Sequence, residues 1–382
     1  MNQPLVEPMR AFGTTIFAEM SALALTTASI NLGQGFPDSD GPPEILDAAV
    51  EAIRSGFNQY PPGSGQPTLR HAIAGHQNRF YGVQYDADTE VLVTAGATEA
   101  IASALLALTG PGDEVVMFEP YYDSYAACVA LSGAQRKVVT LRPTEAGWRY
   151  DPEQLERAFT GRTRVVLLNT PHNPTGKVFD RSELEQIAQL ARRHDAVVVT
   201  DEVYEHLVFD GMHVPMSTLP GMRDRTITIS SAGKTFSVTG WKIGWVCAAA
   251  PYLNAVRTVK QFLTYVNGGP FQPAVAFGLG LPDEVYAEVR EGLRAQRDLL
   301  CGGLQRLGFD VITPQATYFA TVRLDAGGLE FCQKLPRERR VVAIPSSVFY
   351  DSHEGDRLVR FAFCKRPDVL VEALGRLEGV GR

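Results

Sequence analysis

The sequence lacks several features that would identify particular classes of protein. It has no run of about eighteen or more apolar residues, so it predicts no transmembrane helix. Residues 1–10 contain prolines and a glutamate but no apolar core, so no signal peptide is expected. The formal net charge of -7 leaves no basic surplus to neutralise phosphates. We therefore expect a cytoplasmic protein that has neither a membrane nor a nucleic acid as its partner.

Cysteine and histidine are also few and scattered. The 5 cysteines form no C-x-x-C pair, and the 7 histidines show no H-x-x-x-H spacing. An odd number of cysteines without a framework is typical of reduced thiols in the cytoplasm. Without grouped Cys and His ligands, the sequence predicts no metal site.

Continuous apolar runs, by contrast, are frequent and predict buried parallel strands. These runs lie at residues 91–93, 115–118, 165–168 and 197–199. Helical patterns at 98–108 and 182–193 fall between them, and this alternation predicts an α/β domain with a mostly parallel sheet. Ligands of such sheets bind at the carboxyl ends of the strands. The polar residues that follow each run are therefore candidates for a functional site.

The pattern changes in the C-terminal third of the chain. Long helical stretches at 256–265 and 284–307 precede short strands at 318–322, 341–344 and 358–363. This order is typical of a smaller α+β domain. We predict a large domain over 46–275 and a small domain over 276–382. Residues 1–45 are predicted to form an N-terminal arm that contributes to the small domain.

A single lysine lies among small residues just after the alternating run Ile227–Ile229. Lys234 in this place is a solvated charge, a phosphate clamp or a nucleophile that forms an imine with a carbonyl. A phosphate loop needs a glycine five positions before Gly233, where Thr228 stands. Its acidic strand should also follow the lysine, whereas Asp201 precedes it. The sequence thus argues against a nucleotide-hydrolysing enzyme.

Other segments that follow predicted strands also contain residues that could bind a ligand or take part in a reaction. Small residues before Thr98 open a helix and predict a seat for an anion. Asn173 lies in a loop that two prolines make rigid. Asp201 ends a buried strand, where a carboxylate is costly unless it faces a cation. Gly33 and Gly35 lack the third glycine of a dinucleotide site, and instead indicate a plain turn or a loop that approaches a ligand closely.

Pyridoxal 5'-phosphate is the cofactor that uses all these parts together. It needs a lysine for the imine, an anion seat for its phosphate and a carboxylate for its pyridinium nitrogen. It also needs an aromatic face, which Tyr122 supplies just after the strand that ends at Phe118.

The chain resembles the class I, fold-type I aminotransferases, which use this cofactor. It is similar to the branch of kynurenine, glutamine and methionine aminotransferases and, more closely, to N-succinyldiaminopimelate aminotransferases. The resemblance extends from about Arg10 to the C-terminus. The motifs that carry it are NLGQGFPD at 31–38, NQYPPGSGQPTLR at 58–70, EPYYDSY at 119–125, NTPHNPTGKVF at 169–179, TDEVYEHLVFD at 200–210, SSAGKTFSVTGWKIGW at 230–245 and VRFAFCK at 359–365.

This resemblance implies a role for each matching residue. Lys234 matches the lysine that forms the Schiff base and moves the substrate proton, and Asp201 matches the partner of the pyridinium nitrogen. Tyr60 matches a tyrosine that reaches the phosphate of the neighbouring subunit, which implies a homodimer. The other implied cofactor contacts are Tyr204 and Asn173 at the phenolic oxygen, Tyr122 on the ring, and Ala97, Thr98, Ser231 and Lys242 at the phosphate.

The resemblance also implies how substrate is bound. Arg360 matches the arginine that takes the α-carboxylate in a bidentate pair, and Asn173 lies beside it. Gly35 matches a glycine whose backbone contacts the same carboxylate. Phe17 stands where some members of the kynurenine branch have a pocket tryptophan, and Thr98 where they have a tyrosine. Both differences weaken the case for an aromatic substrate and permit a longer acidic one.

The implied activity is transfer of an amino group from an amino acid to a 2-oxo acid in two half-reactions. Glutamate and 2-oxoglutarate are expected in one of them. For the other, N-succinyl-LL-2,6-diaminopimelate, an intermediate of lysine biosynthesis, is the first choice, followed by methionine, glutamine or kynurenine. A carbon–sulfur β-lyase of cysteine conjugates uses the same apparatus and stays an alternative.

Overall fold

The computed structural model describes residues 4–380. Its α-helices are α1 (Ile16–Thr27), α2 (Pro43–Arg54), α3 (Pro67–Tyr81), α4 (Gly96–Leu108), α5 (Asp123–Ser132), α6 (Pro152–Ala158), α7 (Arg181–Arg193), α8 (Ala232–Thr235), α9 (Ala250–Lys260), α10 (Phe271–Leu279), α11 (Asp283–Arg306), α12 (Gly328–Arg339) and α13 (Pro367–Arg376). Its strands are β1 (Ile30–Asn31), β2 (Val91–Ala95), β3 (Glu114–Glu119), β4 (Gln135–Thr140), β5 (Arg142–Thr144), β6 (Gly147–Arg149), β7 (Thr163–Asn169), β8 (Val197–Asp201), β9 (Thr226–Ser231), β10 (Ile243–Cys247), β11 (Asp310–Ile312), β12 (Phe319–Arg323), β13 (Val341–Val342), β14 (Ile344–Pro345) and β15 (Leu358–Ala362).

The main sheet has seven strands in the order β2-β10-β9-β8-β7-β3-β4. Neighbouring strands pair in parallel except β10, which is antiparallel to both β2 and β9. The predicted α/β class with a mostly parallel sheet is therefore confirmed. The carboxyl ends of β2, β3, β7, β8 and β9 meet at one edge, and the start of β10 joins them there.

The apolar runs form this sheet because both of its faces are covered. Val116 of β3 packs in one buried cluster, whereas its neighbours Val115 and Met117 pack in another. Alternate residues of β7 divide in the same way. A strand that is buried on both faces needs apolar residues at every position.

A second sheet has four strands in the order β11-β12-β15-β14, and its pairs are antiparallel. The N-terminal segment packs beside it, because β1 pairs in parallel with β13 and the amide of Ala362 donates to the carbonyl of Leu32 at 2.6 Å. This contact places the Gly33–Gly35 loop close to β15.

The predicted helix over 256–265 is wrong at both ends. The structure has α9 from Ala250 to Lys260, followed by turns. The helix starts early because Pro251 occupies its first turn, where no amide partner is needed. It stops at Lys260, whose ammonium donates to the carbonyls of Gly63 and Tyr265 and holds the chain in a turn. Across residues 4–380, no helix combines the length and apolar character needed to cross a membrane.

Candidate active site

A cavity of about 340 Å³ opens at the carboxyl edge of the main sheet. All but one of the residues that the sequence predicts for the site line it. These lining residues are Phe17, Gly35, Ala97, Thr98, Tyr122, Asn173, Asp201, Tyr204, Ser231, Lys234, Lys242 and Arg360. They come from segments far apart in sequence, and the convergence of strand ends is what brings them together.

Tyr60 is the predicted residue that does not line the cavity. Its side chain is 83% exposed, and its ring centroid lies 5.9 Å from that of Tyr265. The resemblance places this tyrosine at the site of a neighbouring subunit, so its role stays a prediction.

Asp201 is held at the end of β8 as a buried carboxylate. Its Oδ2 accepts a hydrogen bond of 2.6 Å from the hydroxyl of Tyr125, and its Oδ1 accepts one of 3.3 Å from the amide of Val203. Burial raises the pKa of Asp201 to about 6, although both hydrogen bonds favour the charged form. A carboxylate in such a place is stabilised further by any cation brought into the cavity.

Lys234 lies on the short helix α8, which directly follows β9. Its Nζ lies 5.3 Å from the ring centroid of Tyr318 and 5.9 Å from that of Tyr204. Burial lowers the pKa of Lys234 to about 8, and Asp201 opposes this shift. A lysine with this pKa has a neutral fraction near neutral pH and can act as a nucleophile or a base.

The start of α4 is where the sequence predicts a seat for an anion. Gly96 has a φ of +76°, and a Cβ added there would lie 3.2 Å from Nζ of Lys242. A Cβ on Gly244 of β10 would lie 2.9 Å from the amide nitrogen of Ala97. The two glycines therefore let the lysine and the strand approach the helix N-terminus closely. The free amides of a helix N-terminus and one ammonium suit a phosphate group.

Arg360 lies on β15 and reaches the cavity from the second sheet. Its guanidinium donates to Oδ1 of Asn173 at 3.2 Å and to the carbonyl of Gly33 at 2.9 Å, while its Nε has no partner among the described residues. The guanidinium also lies 3.9 Å from the ring centroid of Phe319. Burial lowers the pKa of Arg360 to about 10. A buried cation with unused donors can bind a carboxylate.

Aromatic rings form the walls of the cavity. The ring of Tyr204 is buried and packs edge-on against that of Tyr318 with centroids 5.2 Å apart. The hydroxyl of Tyr318 donates to the carbonyl of Gly35 at 2.6 Å, which holds the Gly33–Gly35 loop. The ring of Tyr122 packs edge-on against Tyr125, with centroids 5.7 Å apart.

Several residues of the site were not predicted from the sequence. Tyr125 donates to Asp201, and Asn169 links two segments because its Nδ2 donates to the carbonyl of Asp201 while its Oδ1 accepts from the amide of Asn173. Gln34 and Phe319 also line the cavity. The position of Asn169 directly after a buried run was a usable signal. Tyr125 and Phe319 had none, because each belongs to a regular element whose facing direction the sequence does not give.

These groups fit pyridoxal phosphate. Asp201 offers a buried carboxylate to a pyridinium nitrogen, and the cradle at Gly96 with Lys242 offers room and donors to a phosphate. Lys234 lies in the same cavity, which is large enough for a small cofactor and a substrate.

Comparisons with known proteins point to the same chemistry. The family model described as "Aminotransferase class I and II" matches residues 27–377. The probable N-succinyldiaminopimelate aminotransferase of Mycobacterium tuberculosis is 52% identical, over 97% of this chain and 97% of that protein. The methionine aminotransferase of Escherichia coli is 40% identical, over 98% and 99%. A solved structure of the Mycobacterium tuberculosis N-succinyldiaminopimelate aminotransferase superposes with a TM-score of 0.96 at 52% identity, covering 98% of this chain and 99% of that one.

Proposed function

The chain belongs to the class I and II aminotransferase family, and on that premise we propose that its amino donor is N-succinyl-LL-2,6-diaminopimelate, with 2-oxoglutarate as acceptor. The family is dependent on pyridoxal phosphate, and the chain is an enzyme that acts on an amino acid and a 2-oxo acid. The observation that carries the choice of substrate is the 52% identity to the probable N-succinyldiaminopimelate aminotransferase over nearly the whole chain.

We propose the cofactor contacts that the family resemblance implies, and the lining of the cavity by all of these residues except Tyr60 supports them. When bound, pyridoxal phosphate supplies an electron-withdrawing ring that stabilises negative charge at the substrate α-carbon. Asp201 would hold the proton on the ring nitrogen, and Tyr122 would offer an aromatic face to the ring. Tyr204 and Asn173 would donate to the phenolic oxygen. The phosphate would be held by Ala97, Thr98, Ser231 and Lys242, together with Tyr60 of the partner subunit.

Lys234 acts as the proton carrier. Its pKa of about 8 gives a neutral amine in a useful fraction of molecules near neutral pH. The amine would take the proton from the substrate α-carbon and deliver it to C4′ of the cofactor in the same half-reaction. The rings of Tyr204 and Tyr318, with centroids 5.9 Å and 5.3 Å from Nζ, limit the water near this amine.

Arg360 binds the substrate α-carboxylate, with the backbone of Gly35 and the amide of Asn173 beside it. The guanidinium is already oriented by Asn173 and by the carbonyl of Gly33, so little side-chain freedom is lost on binding. Its orphaned Nε is a buried donor that a carboxylate oxygen would satisfy. Phe17 closes this end of the cavity, with its ring centroid 5.3 Å from the guanidinium carbon.

We further propose a homodimer in the cytoplasm. Aromatic side chains at Tyr60 and Phe262 are 83% and 82% exposed in the single chain, and Tyr265 beside them is half exposed. A second copy of this chain would bury this apolar surface. We also propose a division into an arm at 1–45, a large domain at 46–275 and a small domain at 276–382, because the two sheets lie in the last two ranges separately. Arg360 of the small domain would then complete the site.

A screen of purified holoenzyme tests the substrate. N-succinyl-LL-2,6-diaminopimelate, methionine, glutamine and kynurenine are each offered with 2-oxoglutarate, and formation of glutamate is measured. We expect kcat/KM for the succinylated donor to exceed the others by at least ~10-fold, the usual gain from one additional specific interaction. A higher value for methionine would favour the function named for the relative from Escherichia coli. Release of pyruvate and ammonia from a cysteine conjugate, without an oxo acid, would favour the β-lyase.

A further inference from the structure

Outside the lining of the cavity, three potential metal ligands converge from two distant segments. His76 lies on α3, and Glu205 and His206 lie in the turns that follow β8. The Nε2 atoms of the two histidines are 2.7 Å apart, and one ligand atom from each of the three residues lies within 4.8 Å of the others. The two segments are 130 positions apart in sequence, so no local spacing revealed this cluster.

Glu205 supplies a second, independent observation. Its side chain is buried, with the residue only 5% exposed. The hydroxyl of Ser230 donates to Oε1 at 2.5 Å, whereas Oε2 accepts no hydrogen bond of good geometry among residues 4–380, although the nearby hydroxyl of Tyr81 partly offsets the burial of the carboxyl. A buried carboxylate oxygen without a donor is costly, and a cation beside it would remove that cost.

The surroundings favour a bound cation that is enclosed. The ring of Phe80 lies 4.8 Å from the imidazole of His76, and that of Tyr286 lies 4.6 Å from His206, both measured between centroids. An apolar shell strengthens the bonds between a metal and its ligands. Arg79 and Arg290 are nearby positive charges, but each forms an ion pair, with Asp283 and Glu291 respectively. His206 is half-buried, whereas His76 and Glu205 are buried.

We propose that His76, Glu205 and His206 bind one divalent ion of the zinc class, at a site separate from the cofactor cavity. Two imidazoles and one carboxylate form a set that zinc uses in proteins, with a fourth position left for water. The ligands of this site do not line the cavity of the cofactor. The proposal therefore stands independently of the substrate proposed above.

Small movements are enough to make the site. At Zn–N bonds of 2.0–2.1 Å and tetrahedral angles, two ligating nitrogens are roughly 3.4 Å apart. The two Nε2 atoms must therefore separate slightly from 2.7 Å, which a rotation of the half-buried His206 allows. The proton now shared between them moves to an Nδ1, so that both Nε2 atoms can ligate.

Metal content and calorimetry of the holoenzyme test the site. After treatment with EDTA and buffer exchange, the protein is titrated with ZnCl₂, and bound zinc is measured by mass spectrometry. We expect one ion per chain in the unchanged protein. Glu205→Gln and His206→Ala should each weaken binding at least ~10-fold, because each removes a ligand. His71→Ala is the matched control, since His71 is exposed on the same helix as His76 and should leave binding unchanged.

A measurement on the unchanged protein keeps the proposal falsifiable if a variant does not fold. X-ray absorption at the zinc edge counts imidazole ligands, and two are expected. The proposal would be overturned if the unchanged protein bound no zinc or if fewer than two imidazoles were counted. It would also be overturned if folded Glu205→Gln and His206→Ala bound zinc as tightly as the unchanged protein.

Discussion

Burial controls the protonation of the two central residues of the cavity. It lowers the pKa of Lys234 to about 8 and raises that of Asp201 to about 6, because a low-dielectric environment disfavours charge of either sign. The lysine thereby gains a reactive neutral form. The carboxylate retains its charge near neutral pH, helped by the hydroxyl of Tyr125. Burial thus makes Lys234 available as a base, while Asp201 stays available as an anionic partner for a cation in the same cavity.

Replacement of Lys234 tests its assigned role directly. In Lys234→Ala we expect turnover to fall by at least ~10³-fold, because the proton carrier is lost. Multiple-turnover transamination by the purified variant is the measurement. Lys334→Ala, at an exposed position on α12, should retain full activity. Full turnover by Lys234→Ala would show that another group moves the proton.

Removal of the Tyr125 hydroxyl should change the pH profile. The hydrogen bond favours the charged form of Asp201 and so lowers its pKa against the effect of burial. In Tyr125→Phe the pKa of Asp201 should therefore rise, and less carboxylate remains at a given acidic pH. A hydrogen bond to a charged group contributes about 1.5–3 kcal/mol, so we expect the acidic limb of kcat/KM to move up by about one to two pH units.

Tyr121→Phe is the control for this experiment. It also removes a hydrogen bond from a tyrosine to an aspartate, the 2.7 Å contact with Asp351, but neither residue lines the cavity. Its acidic limb should stay in place. An unshifted limb in Tyr125→Phe would mean that the hydroxyl does not set the protonation of Asp201.

Arg360→Lys tests the recognition of the α-carboxylate. A lysine keeps the positive charge but loses the planar fork that can bind two carboxylate oxygens at once. We expect KM for the amino donor to rise by about 10-fold or more, the effect of losing one charge-assisted hydrogen bond. The cofactor absorption spectrum should not change. Arg323→Lys, at an exposed site on the adjacent β12, should leave KM unchanged. The same KM in both variants would count against the role of Arg360.

At the scale of elements, the strands of the main sheet could be predicted because burial on both faces leaves a continuous apolar run. Their carboxyl ends then indicated which polar residues to consider, and Asp201 and Asn173 were found in this way. Tyr125 was not found, because it lies on α5 and its direction depends on how that helix packs. The end of α9 was missed because it depends on contacts of Lys260 with the carbonyls of Tyr265 and of the distant Gly63, whereas Pro251 was a usable signal for its start.

The packing of β10 against α4 gives a prediction for an element. In Gly244→Ala the added Cβ would lie 2.6 Å from the carbonyl carbon of Gly96, so strand and helix must move apart. We expect a loss of stability of about 1–3 kcal/mol, typical of overpacking, and weaker binding of the cofactor phosphate. Thermal unfolding and cofactor titration measure the two effects.

Gly110→Ala is the matched control for this substitution. It lies just beyond the other end of α4, and an added Cβ there would meet nothing within 4 Å. It should change neither stability nor cofactor affinity. Equal cofactor affinity in Gly244→Ala and Gly110→Ala would contradict the placement of the phosphate at the start of α4.

At the scale of the whole molecule, contacts between distant elements could be predicted only through the family resemblance. The resemblance brought Arg360 of the second sheet to the same site as Lys234. It offered nothing on His76 and His206, whose proximity arises from tertiary packing alone. Groups that meet only through packing are invisible to periodicity and spacing.

The proposed homodimer leads to a test by complementation. If Tyr60 serves the site of the partner subunit, a mixed dimer of Tyr60→Ala and Lys234→Ala chains contains one site with both residues intact. The other site lacks both. Random pairing in a symmetric dimer makes half of the dimers mixed, so we expect about a quarter of the unchanged activity. The measurement is transamination after co-expression of equal amounts of the two chains and purification of the whole mixture through one tag carried by both chains.

The alternative arrangement gives a different number for the same mixture. If Tyr60 served its own chain, or if the enzyme acted as a monomer, every site in the mixture would carry one defect. Activity would then stay at the sum expected from the separate variants. Tyr60 is exposed and lies outside the cavity of its own chain, so contact with its own Lys234 would require a large rearrangement. Recovery of activity on mixing is therefore the outcome that the exposed aromatic surface at Tyr60, Phe262 and Tyr265 leads us to expect.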